Sequence, residues 1–119
     1  MLVVSYTTPI ISLMKDNRLG ILRELFNEIV IPEAVYSELT SNPDYPEEAA
    51  TINESSFIKK VTLSDKKLLD VFQRVTGLDL GESEAILYSD ENSADQVLKT
   101  NERHISDELI ELVLKNLKD

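Results

Sequence analysis

Cysteine and tryptophan are absent from the 119 residues, and histidine occurs once, at His104. Without cysteine there are no disulfides and no thiolate metal sites, which fits a reducing compartment, so a cytoplasmic location is expected. One histidine rules out a histidine-rich zinc centre. Aromatic residues make up 6 % of the chain, so any core must be built from Leu, Ile and Val. No apolar run approaches the roughly 18 residues of a membrane span, and no leader-like apolar segment is visible at the N-terminus, so no membrane association is expected. Gly-rich phosphate loops are missing too. An excess of positive charge is also lacking. The formal net charge is −10, which opposes adhesion to nucleic acid through a basic surface. It leaves open chemistry in which carboxylates hold a cation and the cation meets the phosphate. It also suits a basic protein partner.

Hydrophobic residues amount to 42 %, enough for one real core, and the length argues for a single domain over residues 1–119. Met1-Leu2-Val3-Val4-Ser5 reads as a short buried strand. Thr7 or Thr8 can cap the helix that follows, with Pro9 at its first position. A second helical stretch runs from Leu19 to Phe26, with Leu19, Leu22, Leu25 and Phe26 at 3–4 spacing. Glu28 to Ile31 is a β-branched strand, and Pro32 opens a helix to about Leu39. A turn-rich loop follows at Ser41 to Pro46. Glu47 to Glu54 reads as a weak helix. Phe57 to Leu63 reads as a strand at a sheet edge, given Lys59 and Lys60. Ser64-Asp65 caps a helix with Leu68, Leu69, Val71, Phe72 and Val75 on its apolar side. Ser93 to Asn101 is ambiguous, and Ser106-Asp107 opens a final amphipathic helix. Strands alternating with helices predict an α/β domain with a parallel sheet.

Between these elements stands Gly77-Leu78-Asp79-Leu80-Gly81-Glu82-Ser83-Glu84-Ala85-Ile86-Leu87-Tyr88. It is a glycine-bearing turn that feeds a helix with Glu82 and Glu84 in the first turn. Acidic groups are favoured at a helix N-terminus in any case, so dipole capping explains them at least as well as cation binding does. Glu38, near the C-terminal end of its own helix, is electrostatically misplaced if it is only structural. His104, beside Arg103, reads as a surface side chain, and the Lys59-Lys60 and Lys66-Lys67 pairs as solvated.

The order of these motifs resembles the PIN-like nucleases of the toxin–antitoxin superfamily, most closely a branch known as a domain of unknown function. Four stretches carry the likeness. They are Val3 to Leu13, Leu22 to Phe26 with Ile31 to Leu39, Leu78 to Ile86, and Arg103 to Ile110. The resemblance implies a three-layer α/β/α fold with carboxylates gathered at the strand C-termini around Mg²⁺ or Mn²⁺. It also implies hydrolysis of RNA by metal-activated water.

Carried over residue by residue, the resemblance makes Glu38 and Glu82 metal ligands. Glu84 or Glu102 becomes an auxiliary ligand or water positioner, and Thr7 or Thr8 supports the ligands through hydrogen bonds. The family's first-strand aspartate is missing, because Tyr6 stands there. A phenol, ordinarily ionising near about 10, is a poor ligand for a hard cation. At the C-terminal side two alignments stay open. In one, Ala94 to Arg103 is the last catalytic strand, with Glu102 in place of its aspartate. In the other, Val97 to Thr100 joins the final helix directly and that strand is missing. The second is favoured, because a central parallel strand should be a continuous apolar run and Gln96 and Lys99 interrupt this one. A sheet lacking that strand would expose an edge beside its first strand and should dimerise. Two functions are therefore expected. One is a metal-dependent ribonuclease with a weakened acidic site. The other is an inactive relative that serves as a homodimerisation module or binds an antitoxin-like protein.

Overall fold

Alternation along two β-branched runs builds the sheet, in a computed structural model that describes residues 1–98 and 112–115. Strand β1 is Val3–Ser5, β2 is Ile29–Pro32, β3 is Ile58–Val61 and β4 is Gln96–Leu98. They lie in the order β3-β2-β1-β4, and every pairing is parallel. Side chains alternate across a strand. Val4 and Val30 therefore enter the core on one face, while Val3, Ile29 and Ile31 enter the core on the other.

Helices cover both faces. Helices α5 (Lys66–Thr76) and α6 (Leu80–Glu91) close the first face with Leu69, Phe72, Ala85, Ile86 and Leu87, joined by Leu114. Helices α1 (Thr7–Lys15), α2 (Ile21–Phe26), α3 (Glu33–Thr40) and α4 (Pro46–Glu54) close the second with Ile10, Leu22, Val35, Leu39 and Ile52. The result is the expected three-layer α/β/α arrangement. Burial of a side chain such as Phe72 or Ile10, both at 0 % exposure, contributes roughly 1.5–3 kcal/mol. Among the described residues no helix is long and apolar enough to cross a membrane.

Four expectations need correction. The reading with no strand beside β1 does not hold, because Gln96, Val97 and Leu98 pair with Val3, Val4 and Ser5, and Tyr6 N donates to Leu98 O at 2.9 Å. Gln96 is tolerated because, among the described residues, β4 lies at an edge of the sheet, where a polar, exposed residue costs little. The premise of an open edge along β1, from which dimerisation was expected, goes with it. Helix α1 opens at Thr7, two residues before Pro9, with Tyr6 at the N-cap position, where its side chain does not cap the helix. Leu25 and Val75, assigned to apolar faces, are 65 % and 59 % exposed. Of the final amphipathic helix, 112–115 is described and is helical. Glu102, His104 and the start of that helix lie outside the described residues.

Candidate functional site

The chain leaves β1 at its C-terminal end and turns at once into α1, so Tyr6, Thr7 and Thr8 sit at the strand's mouth. In open parallel sheets this end is where ligands bind. Two further segments close around it. One is the last turn of α3, which presents Glu38. The other is the start of α6, which presents Asp79, Gly81 and Glu82. Together these seven residues line a cleft of about 50 Å³, room for a water or an ion. Three of the seven are carboxylates, and no lysine or arginine is among the described residues that line it.

Each carboxylate is placed by a specific local cause. Thr7 Oγ1 donates to Glu38 Oε2 at 2.8 Å, so the first hydroxyl of α1 holds the side chain instead of capping its own helix. Glu38 reaches the cleft because position 81 is glycine. A Cβ built there would lie 2.7 Å from Glu38 Oε1 and 3.5 Å from Val35 Cγ2. Asp79 is the N-cap of α6, and its Oδ1 accepts from Glu82 N at 2.8 Å. Capping thus falls to Asp79, and Glu82 lines the cleft from the first turn of the helix.

The structure therefore brings together Glu38, Glu82, Thr7, Thr8 and Tyr6 from the residues singled out in the sequence. Glu84 is not with them. It is 3 % exposed, and its Oε1 accepts from Ala34 N, at the start of α3, at 2.9 Å. Two residues apart on a helix means about 200° of rotation, so Glu82 and Glu84 cannot face one cleft. Asp79 is the lining residue that the sequence reading passed over. Its signal was the spacing Asp79-x-x-Glu82, a cap pairing that places both acids at one helix start.

Chemically, the cleft offers hard oxygen donors: carboxylates, threonine hydroxyls and a phenol. Among the described residues no three acidic or histidine side chains stand close enough to form a metal cage. The donor set suits an ion that keeps most of its water and takes one or two carboxylates, which is the habit of Mg²⁺. It does not suit an ion fully enclosed by protein. Tyr6, 6 % exposed, fills the mouth of β1 with a ring packed into the core.

Compared with known families, residues 2–109 match the family model DUF3368, described as a PIN domain. No curated protein and no solved structure matches the chain.

Proposed function

This chain belongs to the PIN-domain family, a family that generally uses divalent metals, and from that premise we propose that the cleft is a reduced divalent-metal site acting on RNA phosphodiesters. The observation that carries the reading is the convergence of Glu38, Asp79 and Glu82 on one cleft at the end of β1. Glu38 and Glu82 would hold Mg²⁺ or Mn²⁺, with water and substrate phosphate in the remaining positions. Such an ion, when bound, makes water more acidic and screens phosphate charge. The chain's own groups do the positioning. Thr7 fixes the Glu38 carboxylate, and Asp79 anchors the first turn that carries Glu82. With the first-strand carboxylate replaced by Tyr6, turnover is expected to be slow.

The test is a Mn²⁺ titration by calorimetry on the wild type and Glu82→Gln, followed by cleavage of single-stranded RNA. Saturable binding in the wild type, lost in the variant, is the expected result.

Tyr6 favours a second reading, a PIN domain without catalysis that keeps protein contacts. Its acidic surface would suit a basic segment of an antitoxin-like partner as the occupant. Tyr6→Asp separates the two readings. If the wild type neither binds Mn²⁺ nor cuts RNA and Tyr6→Asp does both, the non-catalytic reading stands.

A further inference from the structure

Helices α3 and α6 touch at two points, each with a glutamate of one helix against the backbone of the other. Ala34 meets Glu84, and Glu38 meets Gly81. The first pair lies four residues before the second on α3 and three residues after it on α6. The helices therefore run antiparallel, and one helical turn separates the contacts. Helix α3 begins without a cap of its own, because Pro32 occupies the N-cap and makes no side-chain bond. Ala34 is 8 % exposed, so its N–H needs a partner inside the protein. Glu84 supplies that partner from the neighbouring helix, as an acidic group placed where a helix N-terminus is positive.

We infer that Glu84 is a positioning residue: by accepting the Ala34 amide it clips the N-terminus of α3 to α6, and so sets how deeply Glu38 enters the cleft. The inference rests on the cleft being the working site. Its structural half can be read without any metal. Helix α3 has only eight residues, so a shift at its first turn is carried to Glu38 one turn later. Gly81 leaves no slack, since its missing Cβ is the space that Glu38 uses.

The experiment compares Glu84→Gln, which keeps an acceptor oxygen, with Glu84→Leu, which does not. The metal-free readout is the nuclear Overhauser contact between Gly81 Hα and the Glu38 side chain. The second readout is Mn²⁺ affinity, taken alongside thermal unfolding. Glu84→Gln is expected to keep the contact and to bind Mn²⁺ within about threefold of wild type. Glu84→Leu is expected to lose the contact and to bind about tenfold more weakly, the usual scale for losing a group that supports a metal ligand. Preserved contact and affinity in Glu84→Leu would overturn the inference, leaving Glu84 as filler. So would a loss of Mn²⁺ in Glu84→Gln as complete as in Glu82→Gln, which would make Glu84 a ligand. If Glu84→Leu does not fold, Glu84→Met, which fills a similar space without an acceptor oxygen, takes its place in the comparison. If the wild type binds no Mn²⁺, the functional reading fails, and the Gly81–Glu38 contact still tests the clip.

Discussion

At the scale of single residues, Gly81 separates stability from binding. Alanine there would raise helix propensity by roughly 1 kcal/mol, because glycine is the costlier residue inside a helix. Its Cβ would also crowd Glu38 Oε1 at 2.7 Å. That oxygen ends a flexible side chain and can swing away, so the fold survives and the carboxylate does not stay in place. Gly81→Ala is therefore expected to unfold at the same temperature as wild type or higher, while binding Mn²⁺ on the order of tenfold more weakly. Calorimetry beside thermal denaturation checks both, and unchanged Mn²⁺ affinity would remove Glu38 from the site. Ser83 makes the opposite case. Its hydroxyl is fully buried and has no hydrogen-bond partner among the described residues, a state that costs free energy in the folded protein. Ser83→Ala is expected to be neutral or to stabilise by up to about 1 kcal/mol, as read by urea unfolding. A clear destabilisation would mean that the hydroxyl has a partner in solution.

At the scale of elements, α5 was readable almost whole. Asp65 accepts from Lys67 N and Leu68 N at 3.1 and 3.0 Å. Leu69 and Phe72 form the buried stripe, and Gly77 ends the helix at φ 72°. Asp65→Ala should cost about 1 kcal/mol. The exposed cap can be partly replaced by water, so a loss several times larger would mean that Asp65 also supports the core. Strands β1 and β2 were equally plain from their β-branched runs. Strand β4 was not, for a physical reason. The rule that a parallel strand is continuously apolar holds where both faces and both neighbours are covered. Gln96 opens strand Gln96–Leu98, which is an edge strand among the described residues. The start of α1 was misread because Thr7 has two uses for its hydroxyl, and only the fold reveals that Glu38 takes it. Glu84 was placed beside Glu82 in sequence, yet the rotation of a helix sends the two carboxylates to different neighbours. That separation follows from spacing alone, but its consequence, an acid capping another helix, needed the position of Ala34.

At the scale of the whole molecule, charge decides how RNA could approach. The chain carries −10 overall, and none of the described residues lining the cleft is a lysine or arginine. Among the described residues the lysines lie outside that lining, and Lys15 lines a separate cavity that Glu38 also borders. Lys59 and Lys60 are on the edge strand β3, where charge also discourages pairing with another sheet. Lys66, at the start of α5, is engaged with Glu33 at 3.4 Å. A polyanion brought to such a surface meets repulsion unless a divalent ion bridges it to the carboxylates. Single-stranded RNA is therefore expected to show no retention in the presence of a chelator and to associate once Mn²⁺ is added. Fluorescence anisotropy of a labelled oligonucleotide would measure both states. The salt response carries further information. A protein that grips phosphates with lysines loses affinity steeply as monovalent salt rises, by roughly one power of salt for each contact. A site that works through one bridging ion should give a slope near or below one such contact. Tight binding under chelation with a steep slope would place RNA on the lysines of β3 and α5 and away from the acidic cleft. The carboxylates of Glu38, Asp79 and Glu82 would then need a different occupant.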